Sequence, residues 1–219
     1  MLPVLSTQQI TSCDTMSDGC NGGDATSAYD YVNSTRGLTE EWAYPFVDFF
    51  FNISDPNANT TACKNISKEY PKTPYTWFAY LNRAGVAGYG AVTPNNATAT
   101  MSALATLGPL SISVAAGNWQ DYESGVMFND NTNGGENEWG VDHDVQMVGY
   151  GTDKELGNID YWIVRNSWST LWGEDGFVRL ARPPHEPCSP SQYGPVCGTS
   201  GCLNDPHYPF VTKNPPTHF

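Results

Sequence analysis

The chain has 219 residues with 23 acidic and 10 basic side chains, which gives a formal net charge of −13 and a sequence pI near 4.4. This acidity makes nucleic acid a poor partner, because the chain repels a phosphate backbone, and we expect none. Apolar residues make up 39% of the sequence, enough for the core of one large domain or of two small lobes. The apolar stretches are far shorter than the roughly 18 residues of a membrane-spanning helix, so we expect no membrane span.

Cysteines and glycosylation sequons both favour an oxidising, secretory route. The sequence has 6 cysteines, and Asn-X-Ser/Thr sequons stand at Asn33, Asn52, Asn59, Asn65 and Asn96. We therefore expect a glycoprotein in a lysosomal or vacuolar lumen or outside the cell. The first residues lack the basic region and apolar core of a signal peptide, so we also expect further sequence upstream in the whole protein.

The first part of the chain predicts helices and loops. It opens with an extended stretch at residues 2–5, and the paired glycines Gly22 and Gly23 predict a turn. Apolar residues at three- and four-residue spacing then predict a helix over 24–33. Residues 44–75, which contain four prolines and several sequons, are expected to form surface loop.

The later part of the chain predicts a helix followed by strands. A helix is expected over 98–107, where Gly108 and Pro109 end it. Alternating or apolar runs then predict strands at 110–114, 126–128, 144–150, 160–166 and 177–182. This order predicts an α+β fold with a helical part first and a sheet or barrel second. The Pro- and Cys-rich stretch 183–207 is expected to be loop.

Two polar side chains lie at the ends of neighbouring predicted strands. His143 comes directly before one strand and Asn166 directly after the next, so a short connection predicts that they face each other at one end of the sheet. In some nucleophilic catalytic groups a histidine acts as the base and an amide side chain orients its ring. By spacing alone, a solvated His143 beside acidic neighbours is the commoner arrangement.

Three blocks of the sequence resemble papain-like cysteine peptidases of the cathepsin type. Residues 5–14, with Gly-Cys-Asn-Gly-Gly at 19–23, resemble the segment that follows the catalytic helix of that family. Residues 141–151 (beginning Val-Asp-His) and 161–177 (containing Arg-Asn-Ser-Trp and Trp-Gly-Glu-Asp-Gly-Phe) resemble its His and Asn blocks. Residues 108–111 and 208–210 extend the resemblance over nearly the whole chain, with insertions near 46–75, 129–139 and 152–160.

The resemblance implies a catalytic role for His143 and Asn166. His143 would be the imidazole that pairs with a thiolate, and Asn166 would orient it while Trp168 covers their hydrogen bond. The substrate-binding residues implied by the resemblance, or suggested by their place beside those blocks, are Gly22, Gly23, Asp142, Trp168, Trp172 and Asp205. Simpler interpretations stay open for several of them: a tight turn at the glycines, a core position for Trp172 and a solvated loop position for Asp205.

The resemblance also implies the papain-like two-lobe fold. The present sequence would hold an incomplete helical lobe at 1–92, with a glycosylated insertion, and a β-barrel-like lobe at 93–207. Residues 208–219 would be a C-terminal tail. The central helix that carries the nucleophile would be missing, so the chain is interpreted as a fragment.

The family's nucleophile motif, of the type Cys-Gly-Ser-Cys-Trp, is absent from this sequence. By resemblance Cys13 pairs with Cys63, and Cys20 is left without its partner. Cys20 and the tail cysteines Cys188, Cys197 and Cys202 allow three connectivities that the sequence does not separate.

The leading hypothesis is therefore the C-terminal part of a papain-like cysteine endopeptidase, inactive as given. The alternatives are a catalytically silent homologue that binds peptides and a structural or inhibitory secretory glycoprotein. The expected partners are a peptide or protein substrate and the missing N-terminal segment of the same protein, with no cofactor and no metal. The complete protein is expected to be a monomer.

Overall fold

The computed structural model describes residues 3–35, 37–46, 63, 85–93, 96–128, 142–182, 189–191 and 194–196. The chain divides into two compact units, and the division falls between Tyr89 and Gly90. Within the described ranges, no helix has the length and apolar character needed to cross a membrane.

The first unit contains two helices, α1 (Thr7–Cys13) and α2 (Ala25–Ser34), with a short 3-10 helix at Gly19–Asn21 between them. The α2 helix confirms the predicted helix, and Asp24 caps its N-terminus by accepting a hydrogen bond from the Thr26 amide. The α1 helix was not predicted, because its sequence carries only one aliphatic residue, Ile10, and so shows no apolar stripe.

Polar tertiary contacts stabilise α1 in place of an apolar face. The fully buried Ser6 hydroxyl accepts a hydrogen bond from the Gln9 amide and donates one to the Tyr44 carbonyl at 2.6 Å. The Gln9 side chain accepts from the Thr39 amide at 2.9 Å and donates to the Tyr31 hydroxyl. These bonds tie the helix to residues about 20 to 40 positions away, which a local pattern does not reveal.

A disulfide joins Cys13 at the end of α1 to Cys63, 50 residues later in the sequence. This confirms the pairing that the resemblance implied. Cys20 is a free and exposed thiol. The tail cysteines Cys188, Cys197 and Cys202 lie outside the described residues.

The second unit contains helix α3 (Ala97–Thr106) and a five-stranded sheet. Its strands are β1 (Leu110–Val114), β2 (Val126–Met127), β3 (His143–Asp153), β4 (Ile159–Arg165) and β5 (Phe177–Ala181). The strand order is β1-β3-β4-β5-β2; β2 runs parallel to β5, and the other pairs are antiparallel. The helix and all five strands confirm the predicted elements to within one to three residues at each end.

The core of the second unit lies on one face of this sheet. Its buried members include Met147, Trp162, Val164 and Val178, each at most 2% exposed. Helix α3 contributes Met101, among other residues, to the edge of this cluster. The predicted α+β fold is thus confirmed.

The stretch 183–207 differs in part from the loop that its prolines predict. Two short strands, β6 (Ser189–Ser191) and β7 (Gly194–Val196), pair antiparallel as a small hairpin, with Pro190 opposite Pro195. Proline has no amide hydrogen to donate to a neighbouring strand. A proline-rich segment is therefore predicted to be loop unless its partner strand is known.

Candidate active site

The register of β3 and β4 brings His143 and Asn166 together. Met147 on β3 pairs with Val164 on β4, and side chains two residues apart on a strand share a face. His143, four residues before Met147, and Asn166, two residues after Val164, therefore lie on the same face at the same end of the sheet.

His143 Nε2 and Asn166 Oδ1 lie 2.8 Å apart. The Ser167 amide also donates to Oδ1, at 2.8 Å, which establishes this atom as the amide oxygen. Because Oδ1 accepts only, the imidazole carries its proton on Nε2, and Nδ1 is the nitrogen that remains to exchange a proton with a reacting group. Asn166 is only 9% exposed, and its own amide donates to the Gly176 carbonyl at 2.9 Å.

Two tryptophans contact the imidazole, and a third contacts both of them. Trp168 stacks on the His143 ring with centroids 5.3 Å apart and planes 23° apart, and Trp172 meets Trp168 edge to face at 5.3 Å. Trp119 stacks on Trp172 at 6.2 Å and approaches His143 edge to face at 6.5 Å. Sequence reasoning missed Trp119, because it lies in a turn 24 residues before His143 and belongs to no periodic pattern.

The predicted substrate residue Asp142 has a partner within the protein. Its carboxylate accepts a hydrogen bond from the Ala116 amide at 2.8 Å, and its own amide donates to the Val114 carbonyl. Asp142 thus joins the start of β3 to the end of β1 beside His143. Asp144, one residue after His143, bonds instead to the Ser113 hydroxyl on the exposed face.

The predicted substrate residues Gly22 and Gly23 belong to the first unit, whereas the His143 cluster belongs to the second. Both glycines are exposed. Gly22 has φ of +133°, which L-residues rarely adopt, and a Cβ on Gly23 would lie 2.7 Å from the Ser17 hydroxyl. Asp205, the remaining predicted substrate residue, lies outside the described residues.

An ion-pair network lies beside Tyr122, the residue that packs on Trp172. Arg179 binds both carboxylate oxygens of Glu174, the shortest contact being 2.7 Å, and Glu174 also accepts from the Gly125 amide. The bonds from Arg179 lower the pKa of Glu174, and those from Glu174 raise the pKa of Arg179. Tyr122 packs on Trp172 at 5.6 Å, and burial raises the pKa of its hydroxyl.

A groove of about 460 Å³ opens beside Trp172. Trp172 and the 95% exposed Leu171 form an apolar wall, and the groove lining includes Asp121 and Glu123. Trp172 thus belongs both to the groove lining and to the aromatic cluster beside His143. Among the described residues, no group of three or more His, Cys, Asp or Glu side chains is arranged to hold a metal ion.

The fold and the site together define a class of protein: an α+β scaffold with an amide-oriented imidazole at a strand end. The family model described as Papain family cysteine protease matches residues 1–195. The chain therefore belongs to the papain family of cysteine proteases.

Individual relatives agree with this assignment. The probable cysteine protease RDL3 of Arabidopsis thaliana is 34% identical over 185 residues, which is 84% of this chain and 42% of the relative. Human cathepsin L2 is 32% identical over 189 residues, which is 84% of this chain and 49% of the relative. The chain thus spans less than half of the length of these relatives.

Solved structures of plant proteases share the fold. Bromelain protease from Ananas comosus, in complex with the E64 inhibitor, aligns with a TM-score of 0.65 at 29% identity, covering 92% of this chain and 76% of the bromelain chain. The cysteine protease CMS1MS2 of Carica candamarcensis, in complex with E-64, aligns with a TM-score of 0.61 at 28% identity, covering 84% and 70%.

Proposed function

We propose that this chain supplies the base and orienting half of a papain-type endopeptidase that hydrolyses peptide bonds through a Cys-His-Asn mechanism. The observation that carries the proposal is the 2.8 Å contact between His143 Nε2 and Asn166 Oδ1 beneath Trp168. A pair held at the ends of two paired strands needs little reorganisation when it moves a proton.

In this mechanism His143 Nδ1 takes the proton of a cysteine thiol. The resulting thiolate attacks the scissile carbonyl carbon, and the imidazolium returns the proton to the leaving amine, which leaves a thioester. His143 then deprotonates a water that attacks the thioester. The C–S bond breaks, the acid is released, and the imidazolium returns its proton to the sulfur. Throughout, Asn166 Oδ1 accepts the hydrogen bond from His143 Nε2–H and keeps the ring in one orientation.

The thiol is proposed to come from a segment outside these 219 residues. Cys13 is held in a disulfide, and neither it nor Cys20 stands in the family's nucleophile motif. The chain by itself is therefore proposed to be inactive. Sequence upstream of residue 1 tests this: a cysteine at the nucleophile position supports the enzyme.

A silent peptide-binding homologue is the second candidate, and the absence of a nucleophile motif from the sequence favours it. A serine or glycine at the nucleophile position of the upstream sequence would support this candidate. The groove beside Trp172 would serve either protein, because an apolar wall with a few polar groups is the usual lining of a ligand-binding site.

His143→Ala tests the catalytic role in the protein that includes the upstream segment. Turnover of a peptide substrate should fall to background, because alanine lacks the ring nitrogen that moves the proton, while the thermal transition persists. His185→Ala, the same substitution in the Pro-rich tail, is the matched control. Unchanged turnover in His143→Ala would reject His143 as the base.

A secretory, lysosomal, vacuolar or extracellular location is proposed from the Cys13–Cys63 disulfide and the sequons. Two of the sequon asparagines, Asn33 and Asn96, lie in the described residues, and both are exposed. Endoglycosidase treatment of the protein from its native source should increase its electrophoretic mobility.

A further inference from the structure

The imidazole of His143 is held by more than its hydrogen bond. The torsion that turns an aromatic ring about Cβ–Cγ is broad, so a single hydrogen bond at Nε2 leaves the ring free to rock. Two other contacts restrict this motion: Trp168 lies nearly parallel to the ring, with planes 23° apart, and Trp119 meets it nearly at a right angle, at 84°.

Trp119 closes a cycle of four ring contacts. The cycle runs from His143 to Trp168 at 5.3 Å, on to Trp172 at 5.3 Å, to Trp119 at 6.2 Å, and back to His143 at 6.5 Å. Its members differ in burial: Trp119 is 2% exposed and Trp168 is 36% exposed. The buried ring can therefore anchor the exposed ring that covers the imidazole.

Trp119 also holds Trp172 through its backbone. The indole Nε1 of Trp172 donates to the Trp119 carbonyl at 3.1 Å. A substitution of the Trp119 side chain keeps this carbonyl, so it removes the two ring contacts while leaving the tether of Trp172 in place.

We propose that Trp119 is a positioning residue for His143, acting directly on the imidazole and indirectly through Trp172 and Trp168. This inference rests on the proposed function, because the orientation it maintains is the one that aims Nδ1 at the thiol. Offset and edge-to-face contacts between aromatic rings contribute stability beyond that gained by burying the rings. These contacts therefore favour one arrangement of the four rings over others.

The experiment compares Trp119→Leu with Trp162→Leu. Both tryptophans are 2% exposed in the same core, but Trp162 packs against the Tyr150 ring and the Arg182 guanidinium, whereas Trp119 packs against the His143 and Trp172 rings. The first readout is the NMR spectrum of the histidine rings in the 219-residue chain, which has only 4 histidines. Trp119→Leu should shift and broaden the His143 ring signals, whereas Trp162→Leu should leave them in place.

The second readout is turnover in the protein that includes the upstream segment. Trp119→Leu should lower kcat by about tenfold with KM changed less than about twofold, since misorientation affects the chemical step. Trp119→Phe, which restores a ring, should recover most of the rate. If Trp119→Leu does not fold, Trp119→Met replaces it in the comparison, because the flexible, unbranched methionine side chain fills irregular gaps in a core.

Two results separate this inference from the proposed function. His143 ring signals that are as sharp and unshifted in Trp119→Leu as in Trp162→Leu would overturn the positioning role, and would leave the catalytic proposal standing. Full turnover in His143→Ala would overturn the catalytic proposal, whatever the ring signals show.

Discussion

Asn166→Ala offers the sharpest separation of orientation from stability in this site. The substitution removes the oxygen that accepts from His143 Nε2 and from the Ser167 amide, both at 2.8 Å. It also removes Nδ2, which is buried and has no hydrogen-bond partner among the described residues. The backbone bond from the Asn166 amide to the Gly176 carbonyl remains.

The two effects on the free energy of unfolding oppose each other. Two lost hydrogen bonds remove about 2 kcal/mol of stability at about 1 kcal/mol each. Removing a buried donor without a partner restores about 1–3 kcal/mol. We therefore expect the free energy of unfolding to change by less than about 1 kcal/mol, as measured by urea denaturation.

The effect on orientation is not offset in this way. Without Oδ1, no atom of residue 166 selects the tautomer with the proton on Nε2, so the ring nitrogens of His143 should give NMR shifts of a tautomer mixture. In the protein with the upstream segment, kcat should fall by about 100-fold. Asn21→Ala, at an exposed asparagine of the first unit, is the control and should change neither property.

A destabilisation of about 3 kcal/mol or more in Asn166→Ala would show that the amide is mainly a structural group, and would refute this reasoning. The same holds if the His143 ring nitrogens keep the shifts of a single tautomer.

Two further predictions concern stability. Replacing both Cys13 and Cys63 by Ala should lower the free energy of unfolding by about 4 kcal/mol, because their disulfide closes a loop of 50 residues. Cys20→Ala is the control, and equal urea midpoints for the two variants would contradict the expectation. Hydrogen bonds from Arg179 lower the pKa of Glu174 below its ordinary value of 4.5. The ion pair therefore stabilises the fold fully at pH values above 4.5, and this stabilisation is lost as the pH falls through the lowered pKa. Glu174→Gln should therefore make the unfolding free energy less dependent on pH below about 4.5, and an unchanged pH dependence in acid titrations would contradict this.

The failures of sequence reasoning have identifiable physical causes. Helix α1 was missed because its stability comes from Ser6 and Gln9, which bond to residues near position 40 rather than to a local apolar partner. The β6–β7 hairpin was missed because Pro190 and Pro195 argue against a strand until the two are seen to pair. Trp119 was missed because its role depends on ring contacts across the fold.

The sequence by itself determined the order of helix α3 and the strands in the second unit, and the positions of His143 and Asn166 at strand ends. Both follow from local periodicity, because alternation and three- to four-residue spacing depend on neighbours in the chain. Only the tertiary structure decided that the two side chains meet at 2.8 Å, because strand register sets that distance. It alone also decided that Trp119 closes the aromatic cycle around the imidazole, since such contacts join residues that no local pattern relates.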